Sequence, residues 1–267
     1  MPPQTRVTRL PKPSLRWRVE LLWSLSAHRV NLRYKETLFG FGWIFLQPVA
    51  LTIIFTYIFH RFAKIPSSGI PYPLFAATGL VAWSLTALVV THAASCLTSH
   101  QVILKRVAFP KILLPFSVVV STVADLAIMA LLLIGLLFCY RTPLPESAVW
   151  VFPVLAIHLS FLIGLSCLFS LANVFVRDVG QALNFLLQLW FFVSPVFYPY
   201  SMVPGEFKEL ARWNPMTGLI EGYRAALFLG KPPEADLLIP AFIVALLILV
   251  TGVVFFWRLE GTVADVL

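Results

Sequence analysis

Residues 112–138 read ILLPFSVVVSTVADLAIMALLLIGLLF, and Asp125 is the one ionisable side chain among them. A helix needs about 20 consecutive, mostly apolar residues to cross the hydrocarbon of a bilayer, and this stretch exceeds that length. Five further runs share its character. Spans are placed at 41–62, 72–96, 112–138, 149–173, 181–198 and 237–257, which predicts an all-α integral membrane fold with six transmembrane helices. The composition agrees: 59% of the 267 residues are hydrophobic, 12% are charged, and the mean hydropathy is +0.87. Soluble domains carry roughly 25% charged residues. A chain this apolar has too little polar surface to cover itself in water.

The flanks of these spans orient them. The net charge is +8. Arg6, Arg9, Lys12, Arg16, Arg18, Arg29, Arg33 and Lys35 all precede the first long apolar run. A basic arm beside a span marks a cytosolic segment facing anionic headgroups, which displaces a nucleic-acid reading. With the 97–111 connection, Arg177 and Arg258, that side holds thirteen basic residues against seven on the other. Both termini are therefore expected in the cytoplasm, as an even span number requires. A signal peptide is a poor reading, because Leu21 to Ala27 is short and His28-Arg29 follows it.

Residues 15–37 carry Leu15, Val19, Leu22, Ser26 and Val30 on one face of a 3.6-residue period. Trp17 and Trp23 suit the headgroup layer, so an amphipathic helix along the membrane is favoured over a longer, bent first span.

Soluble-type chemistry is sparse. There is no GxxxxGK(S/T) phosphate loop, since Gly230-Lys231 runs into Pro232, so any ATP hydrolysis falls to another chain. Cys96, Cys139 and Cys167 are odd in number and far apart, and the five histidines show no metal-ligand spacing. Gly164-Leu165-Ser166-Cys167 with His158 is a faint echo of an intramembrane serine protease; close helix packing explains those small residues better. Asp125 stands in a span at a cost of about 2.5–3.5 kcal/mol on insertion scales. It reads equally as a proton-carrier residue or as a carboxylate hydrogen-bonded between helices.

Three segments stand out. Arg33-Tyr34-Lys35 at the mouth of the first span, followed by Gly40, Trp43 and Pro48, could hold a phosphate headgroup, although simple snorkelling explains the charges as well. Leu104-Lys105-Arg106, closed by Phe109-Pro110, reads as a short basic helix able to dock on a partner, or as a plain loop. Residues 199–236 are too polar for a span and too apolar for an ordinary loop. Two short helices broken at Trp213-Asn214-Pro215 predict a re-entrant hairpin there.

Taken together these segments resemble the membrane subunit of ABC-2 type exporters, and among them the permeases for lipid-linked polysaccharides such as O-antigen and teichoic acid. The matching residues are RYKxTxxGxxWxxLxP from Arg33 to Pro48, LKRxxFPxxxLP from Leu104 to Pro115, VRDV from Val176 to Val179, and NPMTGLIEGYRAALFLG from Asn214 to Gly230. Four motifs in order cover nearly the whole chain. The resemblance implies one transmembrane domain over 1–267, with a cytosolic arm and interface helix at 1–38, a coupling loop at 97–111 and an extracytoplasmic re-entrant gate at 199–236. It implies a homodimer in the bacterial inner membrane with two ATP-binding subunits, which would bind the ATP and magnesium; this chain would need no cofactor and no nucleic acid. Arg33, Lys35 and Gly40 would form the gate for the substrate lipid. Leu104, Lys105, Arg106 and Phe109 would couple to the ATPase, and Trp213, Asn214, Pro215 and Arg224 would form the outer gate. Trp43, Phe55, Tyr57, Trp83, Trp190 and Tyr198 would line a sugar-conducting channel, since aromatic faces stack on sugar rings. The alternatives are an ABC-2 exporter of another lipid or drug-like substrate, or a proton-coupled carrier using Asp125.

Overall fold

A computed structural model describes residues 14–34, 42–67, 69–106, 109–176 and 178–266, and every regular element among them is helical. In order these are α1 (Leu15–Tyr34), α2 (Gly42–Phe55, widening into a π-helical turn over Thr56–Phe62), α3 (Tyr72–Cys96), α4 (Gln101–Arg106) and α5 (Leu113–Tyr140). Then come α6 (Val151–Phe175, entered through a tight turn at Glu146–Trp150), α7 (Asp178–Val193), α8 (Gly205–Trp213), α9 (Pro215–Arg224, ending in a wide turn at Ala225–Leu229) and α10 (Ala235–Val266).

Four of the helices, Tyr72–Cys96, Leu113–Tyr140, Glu146–Phe175 and Ala235–Val263, are long and apolar enough to cross a membrane. The fifth run expected to span, 181–198, is shorter than its hydropathy implies. α7 has 16 residues and stops at Val193, which at 1.5 Å per residue is about 24 Å against a hydrocarbon thickness of about 30 Å. Pro195 is the reason: it lacks an N–H, and it drives the preceding residue out of helical conformation. Ser194 instead turns its Oγ back onto the Trp190 carbonyl at 2.8 Å.

α3 is the central helix. Leu74, Phe75, Leu80, Val89, Val90 and Ala93 are all buried, leaving it little face for lipid, as befits a helix apolar all round. α5 and α10 lie outside it and present apolar side chains such as Leu131, Phe138, Leu247 and Trp257 outward. A close helix crossing joins α6 to α10. A Cβ at Gly164 would lie 2.5 Å from the Ile248 carbonyl group, and one at Gly252 would strike the Gly164 oxygen. Small residues at such a crossing let backbones touch where no hydrophobic force drives helices together.

The bundle has two distinct ends. At one, Tyr72 Oη donates to the Phe197 carbonyl at 2.8 Å and Ser147 Oγ to the Ala226 carbonyl at 2.9 Å. At the other, α1 packs across the start of α5. Ser26 Oγ donates to the Ser117 carbonyl at 3.3 Å, and Arg29 Nε to Ser117 Oγ at 3.2 Å. Only part of the periodic face of α1 is used this way: Ser26 is buried, whereas Leu15, Val19, Trp17 and Trp23 remain exposed.

Candidate functional site

The helix break in the third motif follows from two adjacent residues. Pro215 is the first residue of α9, where a missing N–H costs nothing. Asn214 caps that helix, its Oδ1 accepting from Met216 N at 3.1 Å. The same oxygen accepts from Trp190 Nε1 at 3.0 Å, and Asn214 Nδ2 donates to Ser194 Oγ at 3.1 Å. One amide thus ties the α8–α9 break to the end of α7. Trp213 points away and is exposed.

Arg224 is fully buried. Its Nη1 donates to the Pro195 carbonyl at 2.8 Å and Nη2 to the Val196 carbonyl at 2.6 Å. Nε and Nη2 reach the Phe75 carbonyl at 3.3 and 3.2 Å. Glu221 Oε1 lies 3.0 Å from Nη1 and also accepts from Tyr200 N at 3.1 Å. The guanidinium carbon sits 3.4 Å from the centre of the Phe75 ring. Carbonyls released by the Ser194-Pro195 turn therefore find their donors in one planar fork, a geometry lysine lacks. Gly79 makes the space, since a Cβ there would collide with the Val196 oxygen and lie 2.9 Å from Arg224 Nη2. The arrangement can clamp a turn, with the Glu221 carboxylate engaged by Arg224 and Tyr200 N.

The six candidate aromatics divide. Trp83 and Trp190 meet edge-on at 5.3 Å, and Phe55 packs on Phe191 and Phe197 at 6.1 and 5.7 Å. Tyr198 stands against Phe197 at 5.2 Å. Trp43 and Tyr57 do not join them: both are exposed, and Tyr57 contacts Phe62. The centre of the cluster is Phe197, which stacks on Phe59 at 4.6 Å. Phe191 and Phe197 were not among the expected residues. Their signal was the Ser194-Pro195 break, which folds Phe197 back under α7.

At the opposite end lies the basic segment. Leu104 is buried, in a cluster with Leu97, Leu114, Phe256 and Val263, and Phe109 is packed against that cluster. Lys105 is exposed, so α4 is seated by Leu104 and turns Lys105 outward. Arg106 closes α4, and its side chain lies outside the described residues. The following turn is pinned by α10: Lys111 N donates to Glu260 Oε1 at 2.6 Å and Lys111 Nζ to the Glu260 carbonyl at 2.7 Å. Burial holds the His100 imidazole beside α4 below its ordinary pKa, although the Cys96 carbonyl 2.9 Å from Nδ1 opposes this. Arg33 falls in the last turn of α1 without a described side chain, and Lys35 and Gly40 lie outside the described residues.

Ser166 and His158 have structural partners. Ser166 Oγ donates to the Pro115 carbonyl at 2.8 Å. His158 bridges Thr86 Oγ1 at 2.8 Å and Tyr223 Oη at 3.2 Å. Eight residues along one helix put Ser166 and His158 about 12 Å apart, so they form no catalytic pair. Asp125 is buried in α5.

A protein-family model described as "ABC-2 type transporter" matches residues 20–228. The chain is 31% identical to an O-antigen export system permease protein of Myxococcus xanthus, over 86% of this chain and 88% of that one. It is 27% identical to the O-antigen export system permease protein RfbA of Klebsiella pneumoniae, over 96% and 98%. It is 23% identical to the polysialic acid transport protein KpsM of Escherichia coli, over 79% and 82%. With a family model matching most of its length and relatives aligned nearly end to end, this multi-pass membrane protein belongs to the ABC-2 type transporter family.

Proposed function

We propose that the chain is the membrane subunit of an ATP-driven exporter that moves a lipid-linked polysaccharide, of O-antigen or teichoic-acid type, across the bacterial cytoplasmic membrane. The observation that carries this reading is the near full-length alignment with two O-antigen export permeases. In this reading α2 and α7 complete six crossings, both termini face the cytoplasm, and two copies work with two ATP-binding subunits that hold ATP and magnesium. The chain hydrolyses nothing itself. Residues 1–38 form the cytosolic arm and interface helix, 97–111 the coupling loop, and 199–236 the outer re-entrant gate.

The geometry at the basic end supports the coupling assignment. α4 is seated by Leu104 and braced through Lys111 and Glu260, so a push on Lys105 is passed to α5 and α10 instead of being absorbed by a loop. Cysteines introduced one at a time at 100–108 are expected to crosslink to the ATP-binding subunit, and cysteines at 63–71 are not. The reverse pattern would invert the topology.

Arg33 and Lys35 are assigned to the phosphates of the carrier lipid at the cytosolic mouth. Hydrogen bonds to charged groups contribute about 1.5–3 kcal/mol each, so losing both charges should cut export by about a hundredfold or more. The double variant Arg33→Gln, Lys35→Gln is therefore expected to insert normally and to lose surface polymer per inserted copy. If the two charges serve topology alone, polymer falls only in proportion to the inserted protein.

A further inference from the structure

Beside the polar contacts of α9 lies an apolar cavity of about 270 Å³ between α3, α5 and α6. Val81 and Leu85 of α3, Leu126 and Ala130 of α5, and Val151 and Leu155 of α6 are among the residues that form its wall. A second hollow of about 390 Å³ adjoins it, sharing Ile134, Leu137 and Leu144, and Arg141 and Thr142 stand at its side. Protein interiors hold few voids larger than a water molecule, and apolar cavities of about 150 Å³ stay dry and accept hydrocarbon. This one is nearly twice that size and lies between helices whose outer faces are apolar. Water is a poor occupant, because the wall offers it almost no partners beyond the already engaged His158, Tyr223 and Thr78.

The mouth carries a charge in an unusual setting. Arg141 ends α5 with φ of 50°, a left-handed conformation in which non-glycine residues are uncommon. Its backbone N–H closes the helix on the Phe138 carbonyl at 3.2 Å, and its side chain is exposed beside the outer hollow. A cation at the end of a hydrocarbon-lined slot matches one chemistry: an acyl chain with a phosphate at its head.

We infer that the α5–α6 slot is a binding site for a membrane phospholipid, one acyl chain filling the cavity and the phosphate held by Arg141. This site shares no lining residue with the aromatic cluster, so it stands whatever polymer the transporter carries.

The test uses the full-length chain in nanodiscs of phosphatidylethanolamine with a trace of phosphatidylglycerol bearing a diazirine at the end of one acyl chain. After irradiation, label is expected on peptides spanning 126–155. Ala130→Leu fills the slot from α5 and Leu155→Phe from α6. Displacing two buried methylenes is worth about tenfold in occupancy, so each variant should lose label about that much while its elution volume and helical signal stay unchanged. Arg141→Gln should weaken capture of the phosphatidylglycerol probe about fivefold, yet leave labelling by a diacylglycerol probe with the same chain unaltered. Label spread evenly over the outer helix faces, or unchanged in both filled variants, overturns the site. Displacement of the probe by polyprenyl phosphate at lower concentration than by phosphatidylglycerol overturns the phospholipid assignment.

Discussion

Arg224→Met is expected to prevent accumulation of folded protein, whereas loss of any single exposed arginine is not. Breaking a buried ion pair by removing one partner costs about 3–5 kcal/mol, a large share of the 5–15 kcal/mol that holds an ordinary domain together. Here the damage is wider than one pair. The carbonyls of Phe75, Pro195 and Val196 all lose their side-chain donor, and Glu221 is left beside them. Arg224 is fully buried, so no solvent water stands ready to replace those bonds. Arg224→Lys retains the charge but can reach fewer of the carbonyls, so it should fall between wild type and Met. The fraction of monodisperse protein after detergent extraction, with a thermal melt of what remains, reads both. Normal yield from Arg224→Met would show that the turn is held by something else.

The second large effect is expected at the α6–α10 crossing. Gly164→Leu drives a side chain into backbone atoms of Ile248 and Leu249, which cannot swing aside as a side-chain tip does. Overpacking typically costs about 1–3 kcal/mol and occasionally more; contact with backbone places this substitution at the upper end, and Gly164→Ala should already be harmful. Gly135→Ala is the control, since nothing lies within 4 Å of a Cβ there. In mid-helix that change should stabilise by up to about 1 kcal/mol through helix propensity. Opposite signs at two helical glycines, read as shifts in melting temperature, test the packing and not the residue type.

These positions also mark how far the chain could be read in advance. The long apolar runs announced the four spanning helices, and Trp213-Asn214-Pro215 announced its own break, because capping and proline geometry are local. The end of α7 was also local, yet hydropathy concealed it: Val196, Phe197 and Tyr198 look like a continuing span, and only Ser194-Pro195 says otherwise. Arg224 was harder. In a polar-looking segment it reads as a gate residue, and nothing nearby in sequence reveals that its acceptors lie on α3 and in the turn after α7. Its companion Glu221, three residues earlier, was the one readable hint. The aromatics were hard to sort for a different reason. When every face of a helix is apolar, periodicity cannot say which face turns inward, so Trp83 and Trp190 were indistinguishable from the outward Trp43 and Tyr57. Lys35 and Gly40 lie outside the described residues.

The contact between Lys111 and Glu260 has a meaning for biogenesis. The two residues are separated by 149 positions, and chains leave the ribosome at about 5–20 residues per second. For some seconds, then, a nascent chain displays its basic turn without the Glu260 brace, while three of the four span-length helices are already available to the bilayer. Only when α10 arrives does Glu260 lock the turn beneath α4. If the turn serves the coupling role proposed for it, a chain that stalls before that helix would carry most of the spans but an unfinished docking face.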